Sequence, residues 1–461
     1  MNVNKKIIRV LIVVSALFLS LLTYLLYFNM FQAEKLATHP YNRRQWDEEK
    51  YVTRGKIYDK EGLLLAETVE EGNNIRRVYP QGRLYSHVIG YCSHVYGKSL
   101  IEREYDRELL GKDDIDFFSG DKKKGFDLNL TIDNSVQAYA YEQMQGKRGA
   151  LVAMNPKTGE IIAMVSLPDF DPDAAALESQ WNTIVEEESA PLIPRAVQGL
   201  YPPGSTYKIV TTALAFENGM KDHMFEDTGA FEAGSFKVEN YNNKAHGEIS
   251  LDRAFRVSSN QVFCAIGYEL GGEKVFEISR RFGVNSQLDF DIPTKDSRIE
   301  YKKMVNEDAA LVSIGQGQLL TTPLHMAVIC SAVANNGYMV KPYLVQSVSK
   351  GGTVISKTET KVIGQPISQE CAEYIGQLMI GTVQDGTGTL AQISGVTVAG
   401  KTGTAENEKD SDHAWFVGYA PAEDPQIAIA VVLENDGTSG GDAAAPIAGK
   451  VMKEYLAKQG N

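Results

Sequence analysis

The chain has 461 residues, a formal net charge of −13 and 43% apolar residues. This length and composition are sufficient for two or three domains with a large hydrophobic core. The acidity argues against nucleic acid as a partner, because proteins that bind it carry basic patches. The cysteines lie far apart without a CxxC pair, which argues against a metal site or a disulfide framework; they are Cys92, Cys264, Cys330 and Cys371.

The first predicted element is a membrane-spanning helix. Val10–Phe28 is a run of 19 residues without a formal charge. As a helix it would span roughly 28 Å, close to the thickness of the bilayer hydrocarbon core. Basic residues before the run favour a cytoplasmic N-terminus, although others follow it. The run is longer than the usual core of a signal peptide. We therefore predict a cytoplasmic tail at residues 1–6 and a retained single-pass anchor at residues 7–29.

Residues 30–127 are charged and contain many glycines, with short alternating runs such as GKIYDKEGLLLAE. This pattern predicts a small β-rich domain with little helix, including strands near residues 54–66 and 79–91. We call this N-terminal domain the pedestal.

From residue 128 the pattern changes to longer helices and apolar strands. LTIDNSVQAYAYEQM indicates a strand end, a cap at Asp133 or Asn134, and a helix. ALVAMN and EIIAMVS flank the turn at Pro156–Gly159 and predict a hairpin. HAWFVGYA and QIAIAVVLE predict two late strands, followed by a helix over about residues 444–456. Strands at both ends with helices between them predict an α+β domain over residues 128–461, in which one antiparallel sheet is covered by helices.

Three Ser-x-x-Lys pairs are candidates for a serine nucleophile that uses lysine as its base. On a helix, positions i and i+3 share a face, and the lysine must lose its proton from an ordinary pKa of about 10.4. Ser119–Lys122 lies in the charged run SGDKKKG, and Ser347–Lys350 lies in a polar turn before two glycines. Only Ser205–Lys208 opens a helix, after Pro202-Pro203-Gly204, where the helix dipole favours an oxyanion. Taken alone, Ser205 could equally be a helix cap.

KTG occurs twice. Lys157–Gly159 lies in the predicted hairpin turn, where exposure to solvent is expected. The second copy follows the apolar strand GVTVAG and precedes Thr404. There Lys401 and the hydroxyls of Thr402 and Thr404 on a strand edge can bind a substrate carboxylate, and Gly403 leaves room for a peptide alongside.

The order of the motifs is more informative than any one of them. SSN, at Ser258–Asn260, precedes the apolar helix QVFCAIGYEL and alone predicts only a helix start. Ser-x-x-Lys, then Ser-x-Asn, then Lys-Thr-Gly resembles the penicillin-binding transpeptidases and the serine β-lactamases. RGKIYDKEGLLLA, with Lys60 where arginine is usual, resembles the opening motif of class B penicillin-binding proteins. LIEREYDRELLGK, GALVAMNPKTGEIIAMVS, IGQGQLLTTPLHMA and HAWFVGYAP also resemble that class, so the similarity covers nearly the whole chain from residue 54.

The resemblance implies a role for each motif residue. Ser205 would attack the D-Ala–D-Ala carbonyl of a peptidoglycan stem peptide, and Lys208 would take the serine proton. Ser258 would pass a proton to the leaving amine, while the backbone amides of Ser205 and Thr404 would bind the oxyanion. The KTGT segment would hold the terminal carboxylate, which a β-lactam mimics. The implied catalytic residues are Ser205, Lys208, Ser258, Asn260 and Lys401; the implied substrate-binding residues are Thr402, Gly403 and Thr404.

The resemblance also implies a location and partners. It predicts a membrane-anchored D,D-transpeptidase with its catalytic domain outside the cytoplasm and with no cofactor or metal ion. Its substrates would be stem peptides and its covalent inhibitors β-lactams. A pedestal of about 100 residues is too short for a glycosyltransferase domain, so a SEDS-type glycan polymerase is the expected partner.

Two alternative functions stay open. One is a β-lactamase or penicillin sensor of the same fold, against which the RGKIYD segment and the pedestal argue. The other is a non-catalytic scaffold that activates a polymerase, against which the intact motifs argue. A Ser-His-Asp hydrolase has no GxSxG motif to support it.

Overall fold

The structure, a computed structural model, describes residues 3–32, 52–71, 74–112, 123–301, 303–406 and 411–459. The Ser119–Lys122 pair lies outside these residues. The first helix, α1 (Val3–Phe31), contains the predicted anchor at residues 7–29. It is the one helix in the described part of the chain that is long and apolar enough to cross a membrane, and none of its apolar stretch is buried.

The pedestal contains short strands and three short helices. The strands are β1 (Val52–Thr53), β2 (Ile57–Tyr58), β3 (Leu64–Glu71), β4 (Asn74–Val78), β5 (Cys92–Ser93), β6 (Gly97–Lys98) and β7 (Lys123–Lys124). The helices are α2 (Ser86–Ile89), α3 (Leu100–Glu104) and α4 (Asp106–Leu109). The strand predicted near residues 79–91 is wrong, because a 3₁₀ turn and α2 occupy most of this range. Residues 85–90 are all buried, so their burial does not show the alternation of a half-buried strand.

A buried carboxylate holds the pedestal together. Glu102 in α3 is 0% exposed, and its two oxygens accept hydrogen bonds from Arg54 Nε (2.6 Å) and Arg77 Nε (2.7 Å). A buried charge is tolerated when it is paired in this way. Arg54, the arginine of RGKIYD, therefore has a structural role inside the pedestal.

The larger C-terminal unit has the remaining elements. Its helices are α5 (Asn134–Met144), α6 (Ala174–Glu186), α7 (Arg195–Gln198), α8 (Lys208–Glu217), α9 (Leu251–Arg256), α10 (Asn260–Arg281), α11 (Asn306–Ser313), α12 (Pro323–Ala334), α13 (Gln369–Asp385) and α14 (Ala444–Gln459). Its strands are β8 (Asp127–Leu130), β9 (Gly149–Met154), β10 (Ile161–Leu167), β11 (Met224–Asp227), β12 (Ala230–Ala233), β13 (Phe236–Glu239), β14 (Gly247–Ser250), β15 (Arg298–Ile299), β16 (Leu319–Leu320), β17 (Met339–Val340), β18 (Val345–Lys350), β19 (Thr353–Lys357), β20 (Val362–Gly364), β21 (Ala399–Ala405), β22 (His413–Ala420) and β23 (Ile427–Leu433).

One antiparallel sheet of five strands forms the centre of this unit, in the order β10-β9-β23-β22-β21. Alternate residues of β9 enter different cores: Val152 packs with α12, whereas Leu151 packs with α14. Helices therefore cover both faces of the sheet, and every residue of α12 is buried. The predicted fold, an α+β domain with an antiparallel sheet built from its two ends, is confirmed.

Local predictions in this unit have two outcomes. The hairpin of β9 and β10 is confirmed, and so is the cap at Asp133, whose side chain accepts hydrogen bonds from the Ser135 and Val136 amides. The strand predicted at GVTVAG is misplaced, because β21 begins at Ala399 and includes KTG itself. Ser347–Lys350 lies in β18 rather than in a turn. In both cases pairing with a distant strand decides the conformation.

The pedestal and the C-terminal unit share a sheet. Six strands pair in the order β19-β18-β8-β2-β3-β4, so strands from residues 345–357 complete a sheet that begins in the pedestal. A cluster of charges joins the same two regions. Lys60 Nζ lies 2.7 Å from Asp133, and Lys458 Nζ in α14 lies 2.9 Å from Asp133 and 2.6 Å from Glu61. The pedestal is therefore a continuation of the C-terminal unit; the exact domain boundaries stay a prediction.

Candidate active site

Ser205 lies in a tight turn that leads into α8. The 3₁₀ turn Gly204–Tyr207 is held against β21 and against the loop that follows α11. Gly204 has φ +54°, and a Cβ there would lie 2.7 Å from the Thr404 carbonyl oxygen. A Cβ on Gly315 would lie 2.0 Å from the Gly204 oxygen, and the Gly204 amide donates to the Gly315 carbonyl (2.9 Å). Only glycine permits backbones to approach this closely, so the two glycines fix the position of the serine.

The residues around the serine turn are fixed from the sheet side. The buried Trp415 donates from Nε1 to the Pro202 carbonyl (3.1 Å). A Cβ on Gly403 would lie 3.0 Å from both the Pro203 oxygen and Thr206 Cγ2. The sequence predicts that Gly403 leaves room for a peptide alongside the strand. In the structure, the serine turn occupies the space beside Gly403.

Lys208, the first residue of α8, is 0% exposed. Its Nζ donates to the Ser258 carbonyl oxygen (2.8 Å) and to Asn260 Oδ1 (2.8 Å), and lies 3.2 Å from Ser258 Oγ. Burial lowers the pKa of Lys208 to about 7, an effect that Cys264 and Asp227 oppose. A neutral lysine has two N–H groups, which match the two carbonyl acceptors. Its lone pair is then free to accept a proton.

Lys401, in β21, is the second buried amine. Its Nζ donates to Ser258 Oγ (2.9 Å) and to the Thr402 carbonyl (2.9 Å). Burial, together with the positive charge of Lys208, holds the pKa of Lys401 well below its ordinary value. The hydroxyl of Ser258 thus lies between two amines, in position to exchange a proton with either.

The backbone of Ser258 is strained. Ser258 has φ +61°, a left-handed conformation that is uncommon outside glycine. It follows the end of α9, where its amide donates to the Phe255 carbonyl (3.1 Å) and the Ser259 amide donates to the Ala254 carbonyl (2.9 Å). These two bonds define a Schellman motif, whose left-handed position is usually glycine. Ser259 then caps α10 by accepting from the Val262 amide (3.2 Å).

The hydroxyls of the KTGT segment have distinct surroundings. Thr402 Oγ1 lies 2.5 Å from Thr387 Oγ1. Thr404 Oγ1 accepts a hydrogen bond from the Gly440 amide (3.4 Å), which leaves its own hydrogen free to donate. Ser205 is half-buried, and its hydroxyl makes no hydrogen bond with the described residues. The hydroxyls of Ser205 and Thr404 therefore each have a hydrogen that can be donated to a ligand.

The structure brings together every residue that the motifs predicted. Ser258 and Asn260 contact the amine of Lys208, Lys401 contacts the hydroxyl of Ser258, and the KTGT strand lies against the serine turn. The other candidate pairs do not form sites. Ser347 Oγ accepts from Asn129 Nδ2 (3.1 Å) within a strand, and Lys157 is exposed in the hairpin turn, as predicted. Within the described ranges, no group of three or more His, Cys, Asp or Glu side chains is placed to hold a metal ion.

Sequence reasoning missed several residues that build the site. Gly315, Trp415 and Thr387 were assigned no role, although IGQG and HAWFVGYAP contain the first two. Each acts through a partner that is distant along the chain, so no local pattern identifies it. The pair of glycines in IGQG was the available signal, because it permits close backbone contact.

A serine at a helix start with two buried lysines and a Ser-x-Asn loop defines a class of serine acyl-transferase site. Comparison with known proteins agrees with this class. Residues 149–453 match the penicillin binding protein transpeptidase domain, and residues 54–125 match the penicillin binding protein A dimerisation domain. The chain belongs to the penicillin-binding protein transpeptidase family, as a class B member.

Relatives match the chain over nearly its whole length. The peptidoglycan D,D-transpeptidase PbpA of Mycolicibacterium smegmatis is 34% identical, over 96% of this chain and 97% of that protein. The ceftriaxone acyl-enzyme complex of penicillin-binding protein A from M. tuberculosis superposes with a TM-score of 0.84 at 30% identity, covering 89% of this chain and 100% of that one. A D,D-transpeptidase domain from Eggerthella lenta has a TM-score of 0.80 at 36% identity, covering 89% and 99%.

The left-handed backbone of Ser258 gives a stability prediction. Ser258→Gly and Ser258→Ala both remove the hydroxyl, but only alanine keeps the left-handed strain. We expect the glycine variant to be more stable than the alanine variant by about 1 kcal/mol. Thermal unfolding of the two full-length variants in the same detergent measures the difference. Equal melting temperatures, or a more stable alanine variant, would contradict the strained geometry.

Proposed function

We propose that this protein is a membrane-anchored D,D-transpeptidase that cross-links peptidoglycan stem peptides through an acyl-enzyme on Ser205. The observation that carries the proposal is the buried amine of Lys208, whose pKa is lowered to about 7 and whose two N–H groups have fixed acceptors. A lysine in this state is a base close to neutral pH. Lys208 follows Ser205 by three residues, at a helix start whose backbone is held by close packing. Acyl transfer without histidine requires such a base next to the nucleophile.

In the acylation step, Ser205 Oγ attacks the penultimate D-alanine carbonyl and its proton passes to Lys208 Nζ. The amides at the helix start favour the oxyanion that forms. When the C–N bond breaks, the leaving amine needs a proton. Ser258 Oγ can donate one and be resupplied by the lysine that it contacts (3.2 Å). D-Alanine departs, and the acyl chain is an ester on Ser205.

In the second step, an amine from a neighbouring stem attacks this ester. Its proton returns to Ser205 Oγ through the same relay, and a new amide bond links the two strands. One amide is exchanged for another, so the reaction needs no cofactor. Asn260 keeps Lys208 in place, since its Oδ1 accepts from Nζ while its Nδ2 donates to the Glu239 carbonyl (3.0 Å).

The carboxylate of the substrate would be bound by the hydroxyls of Thr402 and Thr404, with Lys401 behind them. An approaching anion raises the pKa of a nearby lysine. Carboxylate binding would therefore help Lys401 to keep a proton despite its burial. β-Lactams present a carboxylate next to a strained amide, and they would acylate Ser205 in the same way.

We further propose that the N-terminus is cytoplasmic, that the catalytic domain lies outside the membrane, and that the anchor and pedestal bind a SEDS-type glycan polymerase. Cross-linking requires a nascent strand at the active site, and a bound polymerase would raise its effective concentration. Strand β4 supports a docking role, because it is an edge strand on which Ile75 is 37% exposed.

Replacement of the nucleophile should abolish covalent penicillin binding. Fluorescent penicillin should label the full-length protein in detergent, and Ser205→Ala should stay unlabelled while keeping the same melting temperature. Ser347→Ala is the matched control, because it removes the serine of another Ser-x-x-Lys pair. Gel fluorescence and intact mass report the adduct.

Two results would argue against this assignment. Labelling of Ser205→Ala would place the nucleophile elsewhere, for example at Ser119 or Ser347. Rapid turnover of nitrocefin by the wild type would favour a β-lactamase, because a transpeptidase must keep its ester until an amine arrives.

The lowered pKa of Lys208 predicts the pH dependence of acylation. Below a pH of about 7 the amine is protonated and cannot accept the serine proton. The second-order rate constant for acylation by benzylpenicillin should fall roughly ten-fold per pH unit there and level off above it. Stopped-flow measurements from pH 5.5 to 9, with unfolding monitored at each pH, test this. A flat profile in folded protein would exclude Lys208 as the base.

The docking role can be tested with two changes. Residues 7–29 are replaced by an unrelated membrane span, and separately Ile75→Asp places a charge on β4. Both should weaken co-purification of the polymerase and rescue of cell-wall growth. Val354→Asp is the control, since Val354 is 55% exposed on β19, the opposite edge of the same sheet. If both changes bind and rescue like wild type, the anchor and pedestal serve only as a spacer.

A further inference from the structure

Thr387 lies beside the KTGT strand but belongs to none of the predicted motifs. It follows α13 in the segment Gly386–Gly388 and is exposed. Its Oγ1 lies 2.5 Å from Oγ1 of Thr402, a residue that is only 6% exposed. The two side chains come from segments that are separate in the sequence and meet at the edge of the catalytic sheet.

The backbone of Thr387 is held from two sides. Its amide donates to the Arg256 carbonyl at the end of α9 (3.4 Å). A Cβ on Gly441 would lie 2.4 Å from its carbonyl oxygen, so the loop before α14 packs directly on it. The adjacent Gly440 donates its amide to Thr404 Oγ1. The loop before α14 thus contacts both Thr387 and Thr404, at the Thr387 carbonyl and at the Thr404 hydroxyl.

The short distance between the hydroxyls limits how their hydrogens are arranged. At 2.5 Å one hydroxyl donates and the other accepts, and a hydroxyl has a single hydrogen. If Thr387 donates, the hydrogen of Thr402 points elsewhere and can be given to a ligand. Hydrogen bonds in such a chain strengthen one another, and a bond to an anion is stronger still.

We propose that Thr387 is a positioning residue for the carboxylate of the substrate or β-lactam. It donates to Thr402 Oγ1, which directs the Thr402 hydroxyl hydrogen toward the carboxylate beside Thr404. The inference rests on the proposed transpeptidase function, because it assumes that this strand binds a carboxylate. It adds a residue from a different part of the chain to that task.

The test compares a ligand with and without the carboxylate. Acylation of the full-length protein in detergent is measured for benzylpenicillin and for its methyl ester, which lacks the negative charge. Thr387→Val, which removes the hydroxyl but keeps the shape, should reduce the rate constant for benzylpenicillin by roughly ten-fold. The rate constant for the ester should change less than two-fold. Thr387→Ser should restore the benzylpenicillin rate.

Thr389→Val is the matched control, because Thr389 is exposed two residues further along and should behave as wild type. An equal loss with both ligands in Thr387→Val would mean that Thr387 only maintains the fold, and no loss with either would mean that it has no role. Either result overturns the inference while leaving the proposed function intact. Absence of acylation of the wild type by benzylpenicillin would overturn both. If Thr387→Val melts early, the same comparison of ligands is made with Thr387→Ala.

Discussion

The removal of two lysine amines from water is the constraint on which the rest of this active site depends. Lys208 and Lys401 are both 0% exposed, and the Nζ of each lies within hydrogen-bonding distance of Ser258 Oγ. Two full charges so close together, away from solvent, are unfavourable, so the pKa of each lysine is lowered, that of Lys208 to about 7. In the proposed mechanism, Lys208 in this state is the base that a histidine provides in other serine enzymes. The carbonyl acceptors around Lys208 then decide which way its lone pair faces.

The same packing tolerates the protonated lysine that the proposed acylation step creates. The ring of Phe263 lies 5.4 Å from Lys208 Nζ, and the ring of Phe255 lies 5.6 Å from Lys401 Nζ. An aromatic face is apolar enough to lower the pKa of a lysine, yet it attracts a cation. An amine beside such a face can hold a proton for the short life of an intermediate without solvent. This suits a relay, whose proton must be returned.

Local pattern predicted the parts of the fold that neighbours in sequence decide. The hairpin of β9 and β10, the cap at Asp133 and the helix start at Ser205 all depend on residues a few positions apart. The pattern failed where distant pairing decides. The sequence KTGT is too polar to predict a strand by itself, and it forms one because it pairs with β22. The sequence likewise does not show that the serine turn packs against Gly403. Thr387 has a partner fifteen positions away and gives no local signal.

The shared sheet changes what the pedestal can be. Strands β2 to β4 pair with one another and continue through β8 into β18 and β19, and Lys458 at the end of α14 contacts both Glu61 and Asp133. Helix α14 also packs on β22, the neighbour of the KTGT strand. The pedestal is thus joined to the C-terminal unit by paired strands and by α14, and α14 also packs on the catalytic sheet. The proposed partner of the pedestal would therefore hold the active site in a fixed orientation, which a flexible tether of equal length would not do.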